Sequence, residues 1–168
     1  MFEENDPYCL FSLDEYKYNS VALAPDSFVQ KMLDLVNKYR MMHAAMPLTI
    51  SQELTKKAST KAVEMAAADK EQIDVNSKYG QAIFSTSNPN NVAIKSVQSW
   101  YNQMRLYDFH RAIPSAKAMY FTQMVWADTK EFGAGKAVAS GGKVYVVALF
   151  NPSGNKGPFE NEVRPVTG

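Results

Sequence analysis

Apolar residues recur at helical spacing in several stretches of the chain. The clearest are residues 25–43, 51–69 and 91–107, where apolar side chains return every three or four positions. This spacing places them on one face of a helix, so the pattern predicts three amphipathic helices. A fourth, shorter helix is predicted over residues 115–127.

The C-terminal part of the chain has the pattern of a β-hairpin. Residues 133–139 and 144–150 are rich in strand-forming residues, and the sequence Ser-Gly-Gly-Lys at 140–143 joins them. Glycine tolerates the positive φ that tight hairpin turns require. Residues 70–91 have no sustained period and are predicted to form a long, structured loop. Helices first and a hairpin last predict an α+β domain built in layers.

Length and composition fit one domain. The chain has 168 residues, of which 46% are apolar and 12% aromatic, which is enough to bury a core. Residues 1–24 mix acidic and aromatic side chains without a sustained period and are interpreted as an N-terminal extension. The single domain is predicted to occupy residues 25–168.

The charge balance excludes some classes of partner. The chain has 18 basic and 17 acidic residues, a formal net charge of +1, and its charges are mixed along the sequence. Nucleic acid is therefore not an expected partner. No stretch approaches the ~18 apolar residues needed to span a bilayer, so membrane contact is expected to be peripheral at most.

Cysteine content and the first residues bear on the compartment. Cys9 is the only cysteine, so no intrachain disulfide can form, as is typical of proteins in reducing compartments. The first residues are acidic, and the apolar stretch of a classical signal peptide does not follow them. These features predict a cytoplasmic protein or one held peripherally on membranes.

Four segments carry a resemblance to a known family. They are residues 35–40 with His43 and Pro47, the Trp100-Tyr101 pair within residues 97–101, residues 121–129 (FTQMVWADT), and residues 147–155 (VALFNPSGN). In this order they resemble the signatures of the CAP superfamily, also called the sperm-coating-protein family. The similarity is greatest to its Golgi-associated plant pathogenesis-related branch. The resemblance implies a three-layer α/β/α sandwich around a mainly antiparallel sheet, with a large cleft.

The family resemblance also implies two histidines and two acidic residues in that cleft, a set suited to a divalent metal ion. Three of these positions correspond to Gln81, Gln103 and Tyr120. The fourth belongs between Asp69 and Tyr79, where the sequence has no histidine. A phenol with a pKa of ~10 is protonated at neutral pH and is a poor zinc ligand. We therefore expect neither a metal nor another cofactor in this vestigial cleft.

Two interpretations of the three replacements remain open. Glutamine keeps the size and hydrogen-bonding capacity of glutamate but loses its charge, so Gln81, Gln103 and Tyr120 would suit a small uncharged ligand. Alternatively, they only fill the volume of a former site. His110 is a candidate for the rim of the cleft, and His43 is interpreted as a structural, hydrogen-bonded histidine.

No catalytic residue is predicted. Asp108, His110 and Ser115 are the residue types of an acyl-transfer triad, but no nucleophile elbow or oxyanion loop surrounds the serine.

The expected function is that of a non-catalytic CAP-domain module for binding or scaffolding, with a lipid or sterol-like ligand. A homodimeric scaffold or a protein partner without a small ligand is the alternative, and a hydrolase is less favoured. Because most members of the family are extracellular, the resemblance gives an extracellular location as the alternative to the cytoplasm.

Overall fold

The computed structural model describes residues 27–168. The predicted extension at residues 1–24 and Cys9 lie outside the described residues. The helices are α1 (Ser27–Met42), α2 (Gln52–Ala68), α3 (Val92–Tyr101), α4 (Met119–Met124) and α5 (Phe159–Glu162), with a 3₁₀ helix at Asn102–Leu106 after α3. The strands are β1 (Thr49–Ile50), β2 (Gly80–Thr86), β3 (Glu131–Val138) and β4 (Val144–Asn151).

The four strands form one mixed sheet in the order β1-β3-β4-β2. Strand β4 pairs antiparallel with both β2 and β3, whereas the short β1 runs parallel to β3. The hairpin predicted from residues 133–150 is therefore confirmed as β3–β4. Strand β4 lies between β3 and β2, so it is covered on both edges.

Alternate side chains of β4 enter two separate cores. Val146 and Ala148 pack with residues of α1 and α3 on one face of the sheet. Tyr145, Val147 and Leu149 pack with residues of α2 on the other face. Every residue from 144 to 150 is buried, as expected of a strand with helices on both sides. The predicted three-layer α/β/α sandwich around a mainly antiparallel sheet is confirmed.

Helix α2 lies directly on the backbone of β3 at two glycines. A Cβ atom added at Gly133 would overlap the main chain of Leu54 and Thr55, and one added at Gly135 would overlap that of Ser59. The two glycines are two residues apart and so face the same side of the strand. Their missing side chains bring helix and strand together.

The structure differs from the sequence prediction between residues 70 and 91. Strand β2 occupies Gly80–Thr86 within the region predicted to be a loop. Its unpaired edge is covered from the α3 side, where the indole Nε1 of Trp100 donates to the carbonyl of Ile83 at 2.9 Å. An edge strand stabilised in this way depends on tertiary contacts that a local sequence pattern does not contain.

Two predicted helices are shorter than expected. The third ends at Tyr101 and continues as the 3₁₀ helix, and the fourth spans Met119–Met124 rather than residues 115–127. In α3 the buried face includes Val97 and Trp100, whereas Ile94 is 42% exposed.

Arg40 and His43 fix the end of α1. The guanidinium of Arg40 is buried and donates to the carbonyls of Met46, Met124, Trp126 and Thr129 at 2.8–3.1 Å. It therefore connects α1 to the end of α4 and to the loop between α4 and β3.

His43 is also buried, and both of its ring nitrogens are hydrogen-bonded. Nδ1 lies 2.6 Å from the carbonyl of Arg164, and Nε2 lies 3.0 Å from the hydroxyl of Tyr101. Burial lowers the pKa of His43 below its usual value of 6.5, although the bond to Arg164 acts in the opposite direction. A neutral ring that donates from Nδ1 and accepts at Nε2 satisfies both contacts, which agrees with the predicted structural role.

Across residues 27–168, no helix combines the length and the apolar character needed to cross a membrane.

Candidate functional site

A cleft of about 340 Å³ opens beside the sheet. Its walls come from residues 73–79, which belong to the segment between α2 and β2, and from the start of β2, α4 and the segment after β4. Gln81, Gln103 and Tyr120 all line this cleft. The structure thus brings together the three residues that the family resemblance assigned to the vestigial site.

The carboxamide of Gln81 is engaged with the main chain of Asp74. Its Nε2 donates to the carbonyl of Asp74 at 2.7 Å, and its Oε1 accepts from the N–H of Asp74 at 3.1 Å. This pairing needs one donor and one acceptor on the same side chain, which a glutamine has and an ionised glutamate lacks. Gln81 therefore holds the segment around Asp74 against β2 through a pair of hydrogen bonds that a carboxylate could not form.

Gln103 has a different role, at the beginning of α4. Its Oε1 accepts from the backbone N–H groups of Tyr120 at 2.9 Å and Phe121 at 3.3 Å. N–H groups in the first turn of a helix have no partner within the helix, and the residue at the N-cap, Ala118, has no side-chain acceptor. Gln103 supplies the missing cap, and a glutamate oxygen would be able to do the same.

Tyr120 is half-buried and packs edge-on against Trp100, with ring centroids 6.4 Å apart. Burial raises the pKa of its phenol, and the carboxylate of Glu71 raises it further. A hydrogen bond with the backbone of Ile83 has the opposite, smaller effect on that pKa. The hydroxyl is thus a neutral polar group at physiological pH and not a phenolate ligand.

Gln123 forms the floor of the cleft and is the functional candidate that the sequence interpretation did not single out. It is buried, its Oε1 accepts from the N–H of Gly154 at 2.8 Å, and its Nε2 donates to Thr129 Oγ1 at 3.2 Å. Thr129 in turn donates to the carbonyl of Pro152 at 2.9 Å. The only sequence signal was its position within the signature at residues 121–129.

Two glycines allow Gln123 to lie this close to the backbone. A Cβ atom added at Gly80 would overlap Gln123 Oε1, and one at Gly154 would lie 2.9 Å from Gln123 Nε2 and 2.8 Å from Trp126 Cγ. The floor of the cleft is therefore polar, closely packed and internally hydrogen-bonded.

The rim of the cleft is apolar by contrast. Ile73, Val75 and Met119 line it and are 55%, 88% and 46% exposed. Of the described residues that line the cleft, two are charged, Asp74 and Lys156. The carboxylate of Asp74 lies 3.5 Å from Lys61 Nζ, which is outside the cleft.

His110 is exposed and is not among the residues that line the cleft. Its backbone N–H, with that of Arg111, donates to the carboxylate of Asp108 at 2.9 and 3.1 Å. The bond from Arg111 is the largest of the effects that lower the pKa of Asp108, and the bond from His110 and the nearby charges add to it. Asp108 thus stabilises a local turn.

The donor atoms in the cleft do not fit the metal implied by the family resemblance. The Gln81 carboxamide is bonded to Asp74, the Gln103 oxygen caps α4, and the Tyr120 phenol is protonated. Within residues 27–168, no group of three or more His, Cys, Asp or Glu side chains is placed to hold a metal ion. The chemistry of this site is therefore that of neutral hydrogen-bonding groups beneath an apolar rim.

Comparison with known proteins gives a consistent assignment. Residues 33–150 match the model of the cysteine-rich secretory protein family, CAP. The chain is 30% identical over 147 residues to Golgi-associated plant pathogenesis-related protein 1 of Homo sapiens, covering 84% of this chain and 96% of that relative. It is 26% identical over 129 residues to pathogenesis-related protein 1A of Nicotiana tabacum, covering 75% of this chain and 76% of the relative.

Solved structures extend the comparison to the fold. The venom allergen-like protein 4 of Schistosoma mansoni superposes with a TM-score of 0.68 at 16% sequence identity, covering 84% of this chain and 97% of the other. At this identity the similarity concerns the fold alone.

Proposed function

Because this chain belongs to the CAP family, we propose that it is a non-catalytic member that binds an uncharged lipid or sterol-like ligand in the cleft, without a metal ion. The observation that carries the proposal is the combination of an exposed apolar rim at Ile73, Val75 and Met119 with a neutral, hydrogen-bonded floor at Gln123. An amphiphile with a hydroxyl or carbonyl group matches both parts.

The apolar rim supports an apolar ligand body. Three large aliphatic side chains around one concave surface are exposed to water unless a ligand covers them. Removing apolar surface from water contributes about 25 cal/mol per Å², so their coverage is a source of binding free energy.

The neutral polar side chains that line the cleft favour a ligand whose head group is uncharged. Gln81, Gln103, Tyr120 and Gln123 are all neutral, and burial raises the pKa of Tyr120 away from the physiological range. Transfer of a cation from water costs free energy unless an opposite charge meets it. The carboxylate that lines the cleft, that of Asp74, already lies 3.5 Å from Lys61 Nζ, so a cation would gain little there.

The side chains in and near the cleft also argue against a catalytic function. Gln123 and Gln81 have no titratable proton, and Asp108 and His110 serve a turn rather than a nucleophile. A hydrolase needs a nucleophile, a base and an orienting group within mutual reach.

Binding of the neutral fluorescent amphiphile N-phenyl-1-naphthylamine, and its displacement by cholesterol or 1-dodecanol, tests the proposal. Val75→Asp places a charge at the rim and should weaken probe binding by about tenfold or more. Val138→Asp is the matched control, because Val138 is 63% exposed on β3 and does not line the cleft. Equal affinity of both variants and the unmodified chain would contradict the proposal.

Metal content gives a second test. After dialysis against zinc and removal of free ions, mass spectrometry should find less than stoichiometric zinc. Stoichiometric zinc that disappears in Tyr120→Phe would contradict the metal-free site.

A homodimeric or protein-binding scaffold is the second candidate. It is favoured by a groove at the end of α1 where Met41 and Met46 are 70% and 76% exposed. Sedimentation velocity over a range of concentrations tests it: a dimer that Met46→Asp dissociates would support this function, and a monomer throughout would exclude the homodimer.

The compartment is proposed on the sequence features. A cytoplasmic or peripheral membrane location fits the single cysteine at Cys9, and the extracellular space is the alternative. Fractionation of tagged protein, with a carbonate wash of the membranes, distinguishes these locations.

A further inference from the structure

A second cavity adjoins the cleft, and a single segment of the chain separates the two. A groove of about 690 Å³ runs along α2, and Asp74, Ser77 and Tyr79 line both this groove and the cleft. We call residues 73–78 the partition segment, because one stretch of chain separates the two cavities. If this segment moved, the cleft and the groove would become one elongated site.

The partition segment is held mainly at Asp74, from both sides. On the cleft side, Gln81 pairs with its main-chain N–H and carbonyl. On the groove side, Lys61 Nζ lies 3.5 Å from its carboxylate. The carboxylate also accepts from the N–H of Asn76 at 3.0 Å, within the segment itself.

The segment has little apolar anchorage. Every residue from 71 to 76 is exposed, and Val75 is 88% exposed. Its two ends are better fixed: Gln72 N–H contacts Met65 Sδ at 3.3 Å, and Tyr79 packs against the core under α2. Segments with few buried contacts open locally at lower free energy than the core, so residues 73–78 are suited to move between fixed ends.

The groove favours anions slightly. Four lysines line it, Lys56, Lys57, Lys61 and Lys78. Three carboxylates, those of Glu53, Glu64 and Asp74, also line it, which leaves an excess of one positive charge.

Two of the lysines already have carboxylate partners, and Lys78 Nζ lies 5.0 Å from the centroid of the Tyr79 ring. Lys57 lies 3.9 Å from Glu53, and Lys61 lies 3.5 Å from Asp74. An anion that enters the groove would compete with Asp74 for Lys61, and would so weaken one of the two contacts that hold the partition segment.

We propose that the partition segment is a gate, and that its opening joins the cleft and the lysine-lined groove into one site for a single-chain amphiphile with an anionic head. The chain lies along Met119 in the cleft, and the head lies among the lysines of the groove. The inference rests on the proposed function for the cleft, whose neutral groups would contact the uncharged part of the ligand. It extends that function to amphiphiles whose anionic head lies outside the cleft, among the lysines of the groove.

Displacement of N-phenyl-1-naphthylamine by 1-dodecanol and by dodecyl phosphate, each below its aggregation concentration, tests the head group. The two compounds share one chain and differ in head charge. We expect the phosphate to bind about tenfold more tightly at low salt, with the preference decreasing as salt is added.

Two charge-matched variants locate the head. Lys56→Gln with Lys78→Gln should reduce the preference for phosphate to about threefold or less and leave the affinity for 1-dodecanol unchanged, since neither lysine lines the cleft. Lys31→Gln with Lys38→Gln, which removes the same charge from α1, should retain the full preference.

Hydrogen exchange of residues 73–78 tests the gate. Gln81→Glu replaces the donor to the Asp74 carbonyl by an oxygen that repels it, so exchange should become about tenfold faster. Gln103→Glu is the control, because its oxygen can still cap α4. Asp74→Asn removes the ion pair with Lys61 and gives the same readout independently.

The outcomes separate this inference from the proposed function. Equal affinities for the two amphiphiles, or a preference for phosphate that survives Lys56→Gln with Lys78→Gln, would overturn the head site while the cleft proposal stands. Unchanged exchange in both Gln81→Glu and Asp74→Asn would overturn the gate. Failure of 1-dodecanol to bind at all would overturn the cleft proposal, and with it this inference.

Discussion

At the residue scale, Arg40 is a buried cation whose hydrogen bonds all go to main-chain carbonyls. Burial lowers its pKa to about 10, and the charge of Glu162 offsets part of this effect. The guanidinium therefore stays charged at neutral pH. Its planar fork is suited to several carbonyls at once, which the single ammonium of a lysine is not.

Arg40→Lys should lower the free energy of unfolding by about 2–4 kcal/mol, because buried carbonyls lose their donors. Urea unfolding followed by circular dichroism measures the change. Arg105→Lys is the control, since Arg105 is exposed in the 3₁₀ helix, and it should be nearly neutral. A similar stability for both variants would contradict the role given to Arg40.

At Gln103, replacement by glutamate should be tolerated, whereas replacement by alanine should not. Gln103→Ala should cost about 1 kcal/mol of stability, as expected for loss of a helix cap, whereas Gln103→Glu should be neutral or stabilising beside a helix N-terminus. Thermal unfolding of the two variants measures this contrast. A loss of the same size in both would show that the amide nitrogen, and not the oxygen, matters.

The sequence indicated which residue types stand at the cleft positions, but not what they bond to. Gln81, Gln103 and Tyr120 were assigned from their place beside the family signatures. The partners of the two glutamines are main-chain groups of Asp74, Tyr120 and Phe121, which any sequence would offer. Only the three-dimensional arrangement identifies them.

At the scale of the elements, the contact between α2 and β3 depends on the absence of side chains. The close approach at Gly133 and Gly135 depends on the spacing of two glycines in a strand, which is a local property that the sequence contains. Strand β2 was missed because its stability comes from β4 and from Trp100, which are distant in sequence.

Gly135→Ala should destabilise the domain by about 1–3 kcal/mol, since the added methyl group would overlap the backbone of Ser59, which cannot turn away as a flexible side chain can. Gly141→Ala is the control, because nothing lies within 4 Å of a Cβ atom built at that hairpin position. Chemical unfolding of both variants checks the difference. Equal stability would mean that α2 can move away from the sheet without cost.

At the scale of the whole molecule, His43 connects the first helix to the last residues of the chain. Its ring bonds to the carbonyl of Arg164, while Thr167 N–H donates to the carbonyl of Met42 at 2.9 Å. The C-terminal segment is therefore part of the folded domain, although the sequence pattern predicted no helix or strand after residue 150. Short segments of this kind carry no periodic signal.

The lowered pKa of His43 makes stability depend on pH. The folded state favours the neutral ring, so the stabilisation is complete above the unfolded pKa of 6.5 and decreases as the pH falls below it toward the folded pKa. Urea midpoints at about pH 7.5 and 5.5 should differ more in the unmodified chain than in His43→Gln. His110→Gln, at an exposed position, should retain the difference, and its loss in that variant would contradict the assignment to His43.

The position of β4 has a consequence for the chain as it is synthesised. Its residues alternate between both cores, and it is the sheet partner of β2, whose Gly80 pairs with Phe150 seventy positions later. Helices α1 and α2 and strand β2 leave the ribosome well before the strand that completes them. Since non-local pairing delays folding, a nascent chain must keep its apolar faces from aggregating until the C-terminal hairpin emerges.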